Sequence, residues 1–137
     1  MVQNTKQKFL FYTGKGGVGK TTLACAMAVK LAEEGNKVLL ISTDPASNLK
    51  DVLDSKIGDV IKQHIKVPNL FMVNIDPEKS AQEYRKRVLE PLRETTNKQE
   101  LNKIEEGLSG ACTTEIASFD EFARFITGEG ELENIDI

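Results

Sequence analysis

The sequence predicts an α/β fold built on buried parallel strands, and three observations carry that expectation. Residues 8–13 include Phe9-Leu10-Phe11-Tyr12-Thr13, a short apolar and aromatic run that reads as a buried strand. A glycine-rich stretch follows, and then Leu23-Ala24-Cys25-Ala26-Met27-Ala28, rich in good helix formers. Val38-Leu39-Leu40-Ile41-Ser42-Thr43 is a second apolar run without polar alternation, the mark of a parallel strand covered on both faces.

The stretch between the first strand and its helix reads Gly14-Lys15-Gly16-Gly17-Val18-Gly19-Lys20-Thr21-Thr22. It matches G-x-x-x-x-G-K-[ST], the P-loop pattern, and lies in the strand–loop–helix context that the pattern needs. Glycines without a Cβ let the backbone turn sharply and approach a ligand. Successive N–H groups then point into one concavity that holds phosphate oxygens. The helix starting near Lys20 adds the positive end of its dipole. Lys20 brings a full charge to the β- and γ-phosphates of a nucleotide, and the Thr21 hydroxyl is placed to ligate Mg²⁺. A glycine turn that merely links strand to helix would need the whole pattern and both flanks to agree by accident. Lys15 is not demanded by the pattern; its plainer reading is a solvated loop lysine.

The helix over residues 20–34 ends at Gly35, a good residue to follow a last turn. Its small apolar surface predicts that it is well buried. The strand at 38–43 runs into Asp44-Pro45-Ala46-Ser47-Asn48. An acidic residue at the C-terminal end of a buried parallel strand sits where open α/β sheets place their ligands. Asp44 is therefore a candidate to bind Mg²⁺ or its water shell, or to orient an attacking water. The alternative is a turn or N-cap aspartate before Pro45. Ile57, Val60, Ile61 and Ile65 fall at helical spacing and predict a short helix, with His64 an exposed bystander. Residues 69–75 predict a third strand. Asp76-Pro77 then starts a helix as N-cap and first residue. Ala81, Tyr84, Val88 and Leu92 form its apolar stripe, and Arg85, Lys86 and Arg87 lie on a solvated face. Pro91 ends or kinks this helix. A short helix is expected at 99–106 and a longer one from about Thr114 to Ile126, with Ile116, Phe119, Ala123 and Ile126 on one face. Residues 128–137 read as a loop leading into a strand. Asp136 is a poor second metal-site acid, because no apolar run precedes it.

The chain has 137 residues, which suits one domain but is short for a complete nucleotide-binding ATPase. A net charge of −3 gives no global basic field for nucleic acid. No apolar run approaches membrane-spanning length, and the first residues lack the apolar core of a signal peptide. These features predict a cytoplasmic protein. Cys25 and Cys112 lie far apart and form no C-x-x-C pair, so neither a structural disulfide nor a zinc site is expected. Cys25 reads as a small buried hydrophobe.

Three segments together carry a family resemblance: the loop at 12–22, Ser42-Thr43-Asp44-Pro45-Ala46-Ser47-Asn48, and Leu108-Ser109-Gly110-Ala111-Cys112-Thr113-Thr114-Glu115-Ile116-Ala117. With Lys15, the loop resembles the signature-lysine P-loop ATPases, in which that lysine reaches across a dimer interface to the partner's nucleotide. The second segment resembles the arsenite and tail-anchored-protein targeting ATPases. The third resembles the arsenical pump-driving branch. Nearly all of the chain, residues 1–137, is then similar to the N-terminal part of one such ATPase domain. The resemblance implies a P-loop fold with a mainly parallel sheet and helices on both faces, truncated before the strand that carries the second acidic motif. It implies ATP and Mg²⁺ as cofactors, with phosphates held by residues 14–22. It assigns catalytic roles to Lys15, Lys20 and Asp44, metal roles to Thr21 and Asp44, and arsenite or antimonite binding to Cys112. On residues alone, Cys112 reads as a small residue packing a turn. The implied partners are a second ATPase half or homodimer mate, and an arsenite efflux permease at the inner face of the plasma membrane. Without the second acid, the isolated chain is expected to be inactive. The competing reading is a nucleotide-gated carrier for hydrophobic membrane-protein tails; the long Met- and Leu-rich amphipathic stretch that it needs is not visible here.

Overall fold

The computed structural model describes residues 8–44, 48–127 and 134–137. The predicted N-terminal segment 1–7, the 45–47 part of the turn after Asp44, and 128–133 of the predicted C-terminal loop lie outside the described residues. In chain order the elements are α1 (Lys20–Glu33), β1 (Val38–Ser42), α2 (Leu49–Val52), β2 (Lys62–Gln63), β3 (Leu70–Asn74), α3 (Pro77–Leu89), α4 (Lys98–Gly107) and α5 (Ala111–Thr127).

The strands form a mixed sheet in the order β1-β3-β2. β1 and β3 are parallel, with Val38 opposite Leu70 and Ser42 opposite Asn74. β2 adds an antiparallel pair, Lys62 opposite Met72 and Gln63 opposite Phe71. The α/β expectation is met, while the described sheet is mixed, with one parallel and one antiparallel pairing. Leu70, Met72, Val73 and Ile75 are fully buried, so β3 is the apolar spine of the molecule. α1 packs on β1 and β3 through Cys25, Ala28 and Ala32. Small side chains let this helix approach the sheet closely. Its other face, including Leu23 and Ala26, is exposed, so the helix is less completely buried than its composition predicts.

Several helix ends follow local chemistry. Gly35 adopts φ +94°, and its N–H and that of Asn36 reach back to the carbonyls of Ala32 and Leu31 at 3.0 and 3.1 Å. This pair of bonds closes α1 in a Schellman motif, which only a residue tolerant of positive φ completes without strain. At α3 the Asp76 carboxylate accepts from the N–H groups of Glu78 and Lys79 at 2.9 and 3.1 Å, with Pro77 at the first helical position. α3 ends at Leu89, just before Pro91, as predicted.

Five expectations are corrected. Residues 8–13 do not enter the sheet as a strand. Among the described residues, only the Lys8 N–H of this segment is paired with backbone, to the Asp136 carbonyl at 2.9 Å, and Phe9, Leu10 and Phe11 are exposed. An extended apolar run becomes a strand only when a neighbour completes its ladder. The Ile57–Ile65 spacing gives no helix: the Gly58 carbonyl accepts from the Asn74 N–H at 2.8 Å, the segment turns back as β2, and Ile65 is 92% exposed. His64 is no exposed bystander but is buried at 8% exposure. α5 begins at Ala111 rather than near Thr114, and it buries Thr113 and Ala117 while Ile116 and Phe119 stay exposed. Arg85 and Arg87 also do more than solvate a face. Arg85 Nε–H donates to the Leu108 carbonyl at 2.9 Å, and Arg87 pairs with Asp120, tying α3 to the end of α4 and to α5.

Candidate functional site

The glycine loop closes directly on α1. Gly17 and Gly19 adopt φ +76° and +87°, a region that side chains with a Cβ rarely enter. Gly19 is the N-cap residue, no side chain caps the helix, and its first turn carries no acid. The first N–H of this region with a backbone acceptor among the described residues is that of Leu23, to Gly19 at 3.0 Å. The N–H groups of residues 16–22 therefore remain available as donors at the positive end of a 14-residue helix. Such an end favours anions and carries no carboxylate that would compete with one. The donor set fits a phosphate group. The Lys20 ammonium folds over the loop and donates to the Lys15 carbonyl at 2.9 Å. Lys15 itself is exposed.

Behind the loop lies a cavity of about 790 Å³. Lys20 and Thr21 from the loop and Asp44 from the end of β1 all line it. The fold thus brings together three of the residues singled out in the sequence. β1 and β3 run side by side to the same end, the Ser42 carbonyl accepting from the Ile75 N–H at 2.8 Å, and this directs the segment after Ser42 towards the loop. The Asp44 N–H then donates to Ser42 Oγ at 3.2 Å. Thr21 and Asp44, which line the same cavity, are hard oxygen donors of the kind Mg²⁺ takes.

Asp136 stands at the other end of the sheet. Its carboxylate accepts from the Lys37 N–H at 2.8 Å, before β1 begins, which fits its reading as a poor second acid. Sequence reasoning missed Thr114 and Glu115, which line the cavity from α5. No periodicity signals a meeting between segments so far apart in the chain.

The two thiols are separated by their environments. Cys25 is packed in the core under β1 and β3, and burial raises its pKa. Cys112 is exposed in the first turn of α5 and does not line the cavity. Among the described residues no group of three or more His, Cys, Asp or Glu side chains is placed to hold a metal ion. A single thiol does not make a closed soft-metal site. No helix among the described residues is long and apolar enough to cross a membrane.

A glycine loop feeding a helix N-terminus, beside a parallel strand that ends in an acid, places the molecule among the α/β P-loop proteins. Residues 7–135 match the model of the anion-transporting ATPase family, and the chain belongs to that family. The chain is 50% identical over 128 residues to the arsenical pump-driving ATPase of Acidiphilium multivorum, a match that covers 93% of this chain and 22% of that protein. It is 49% identical over 128 residues to an arsenical pump-driving ATPase of Escherichia coli, with the same coverage. It is also 46% identical over 86 residues to ATPase get3 of Schizosaccharomyces pombe, covering 61% of this chain and 25% of that protein. The chain therefore spans about a fifth of the length of the arsenical pump relatives.

Proposed function

We propose that these 137 residues are the N-terminal part of an ATPase domain that binds and hydrolyses ATP to drive arsenite or antimonite export through a membrane permease. The observation that carries the reading is the glycine loop at the start of α1, whose N–H groups at 16–22 have no backbone acceptor among the described residues, with Lys20, Thr21 and Asp44 lining one cavity beside it. The roughly 50% identity to arsenical pump-driving ATPases supports the transported species.

In this reading the backbone N–H groups of the loop hold the phosphates, and Lys20 exchanges its bond to the Lys15 carbonyl for one to a phosphate oxygen. Thr21 and Asp44 hold magnesium, Asp44 directly or through a water. Bound ATP supplies the transferable γ-phosphoryl group. Lys15, exposed on the loop, reaches to the nucleotide of a second ATPase half or a second copy. Cys112 supplies one of several thiols for arsenite or antimonite, the others coming from outside these residues. The protein works in the cytoplasm, at the inner face of the membrane when its permease engages it. The second acid is contributed by a further strand, so residues 1–137 alone bind nucleotide but turn over negligible ATP. The carrier reading is less well supported, since the ATPase get3 match that covers 99% of the chain is 33% identical, against 50% for the arsenical pump-driving ATPase that covers 93% of it.

The test is calorimetric titration of the chain with ATP and magnesium. Lys20→Ala removes a charge-assisted bond of about 1.5–3 kcal/mol and is expected to weaken binding by about 10- to 100-fold. Lys15→Ala is expected to leave the affinity of the single chain unchanged. Equal affinity in Lys20→Ala and parent would sink the phosphate assignment.

A further inference from the structure

α2 is too short to hold itself in place. It is a single turn, Leu49–Val52, and so short a helix is marginal in water because its few internal bonds do not offset the ordering of its backbone. Its N-cap residue, Asn48, makes no side-chain cap bond. Its position therefore comes from neighbours. Leu49 and Leu53 are buried in one cluster with Cys25 and Ala28 of α1. The Leu53 carbonyl, just past the turn, lies 3.0 Å from His64 Nε2.

The imidazole is mounted on the sheet. The His64 N–H donates to the Leu70 carbonyl at 2.8 Å, which carries the β2–β3 pairing one residue further. Nδ1 accepts from the N–H groups of Lys66 and Val67, so the proton sits on Nε2 and is donated to the Leu53 carbonyl. The ring thus ties the end of α2 to the turn between β2 and β3. The Lys66–Asp54 ion pair spans the same junction, but its side chains are 74% and 89% exposed, and such a pair contributes little in water. The chain leaves α2 through Asp54 at φ +45°, a conformation that a residue with a Cβ keeps only where its neighbours hold it.

The path from the ring to the candidate site is short. The Leu53 N–H donates to the Leu49 carbonyl at 3.0 Å. Leu49, 3% exposed, lines the same cavity as Lys20, Thr21 and Asp44. We propose that His64 is a positioning residue for the magnesium part of that site: by holding the Leu53 carbonyl it seats α2 on α1 and fixes the wall that Leu49 forms in the cavity. The proposal rests on the nucleotide reading above, and it separates two kinds of contact within that reading. The N–H groups that take phosphate belong to one stretch, whose glycines set its conformation locally. Thr21 and Asp44 come from different elements, α1 and the end of β1, so their separation depends on how those elements pack. α2 packs on α1 and follows β1 along the chain. Loosening α2 therefore disturbs the pair that holds magnesium and leaves the phosphate loop as it is.

Two substitutions divide the imidazole. In His64→Gln the side-chain amide nitrogen reaches the place of Nε2 and keeps the bond to Leu53. In His64→Asn the amide oxygen takes the place of Nδ1, which keeps the Lys66 and Val67 bonds and cuts the tie to Leu53. In the 137-residue chain without nucleotide, His64→Asn is expected to speed hydrogen exchange of the Leu53 amide, followed by NMR, by about fivefold or more, and His64→Gln by less than about twofold. Calorimetry with ATP and magnesium is expected to give an affinity about fivefold weaker in His64→Asn, with His64→Gln within about twofold of the parent and all three alike in EDTA. Coupling is reciprocal. In the parent, magnesium and ATP together are therefore expected to slow the Leu53 amide and to shift the His64 side-chain nitrogen resonances, and ATP in EDTA to do neither. That measurement decides should a variant not fold. Unaltered affinity in His64→Asn, equal losses in both variants, or a loss of the same size in EDTA overturns the inference and leaves the nucleotide reading intact. A parent that binds no ATP overturns the nucleotide reading and, with it, this inference.

Discussion

The imidazole of His64 holds three backbone groups that the loop around it would otherwise bury unpaired. Its Nδ1 accepts from the N–H groups of Lys66 and Val67 at 3.1 and 3.0 Å, which places the proton on Nε2, 3.0 Å from the Leu53 carbonyl. Replacing it with a side chain of similar size but no polar atoms strands these groups. His64→Leu is expected to cost about 2–3 kcal/mol, read as a lower urea midpoint with an unchanged slope. Cys25 makes the opposite point, since its value lies in being small and apolar. Burial holds its thiol above the ordinary range, so the folded chain resists ionising it while the unfolded chain does not. The contribution to stability is therefore complete below the unfolded thiol's pKa, about 8.5, and is lost as pH rises through the higher folded value. A disulfide reagent at pH 8 is expected to titrate the exposed Cys112 quickly and Cys25 only on unfolding. Comparable fast reaction of both thiols would contradict this packing.

At the scale of elements, α3 is the strut of the second half of the chain. Its start is fixed by the Asp76 cap and Pro77, and its flank is tied by Arg85 and Arg87. Lys79 in its first turn pairs with Asp59, in the segment before β2. That hydrogen bond lowers the Asp59 pKa and raises that of Lys79. The sign follows for both partners. The Asp59 contribution is present above the unfolded carboxyl value, about 3.9, and disappears as pH falls through the lower folded value. The Lys79 contribution is lost only as pH rises through its raised value, above the ordinary lysine range. Both side chains are partly exposed, so the effect is small and screened by salt. Asp59→Asn is expected to lower the urea midpoint at pH 7 in low salt, and the difference from the parent to vanish as pH falls through the lowered Asp59 value. A midpoint difference that persists in acid would mean that the carboxylate charge is not what ties this loop to α3.

For the whole molecule, the consequential feature is the apolar interior left open between residues 8–13 and β1. Phe9, Leu10, Phe11 and Phe119 are each at least half exposed around it, and Phe11 meets Phe122 edge-on with ring centroids 6.2 Å apart. A contiguous surface of this kind binds amphiphilic dyes and drives association. Native chain is expected to enhance anilinonaphthalene sulfonate fluorescence, and the paired change Phe11→Ser, Phe119→Ser to remove most of the enhancement with the far-ultraviolet circular dichroism unchanged. Undiminished enhancement in the double variant would place the dye elsewhere.

Signals carried within a few residues determined most of the local structure. The glycine loop and the helix it starts, the Gly35 stop, the Asp76–Pro77 start, the break before Pro91, and the apolar runs of β1 and β3 all depend on φ preferences, caps and side-chain pattern, which neighbours along the chain supply. The conformation of the loop at 14–22 was legible for the same reason, because it is a property of consecutive backbone groups. Only the tertiary structure decided what depends on partners distant in sequence. Residues 8–13 have the pattern of a strand, yet a strand needs a neighbour, and among the described residues their backbone is paired at Lys8 alone, to Asp136. His64 sits in a polar stretch, yet its burial follows from the turn back into β2 and from a carbonyl on Leu53. Phe119 and Ile116 have the spacing of a buried face, yet in α5, which packs on α3, it is Thr113 and Ala117 that are buried. Hydrogen-bond ladders and packed faces are agreements between two segments, and each segment states only its own half.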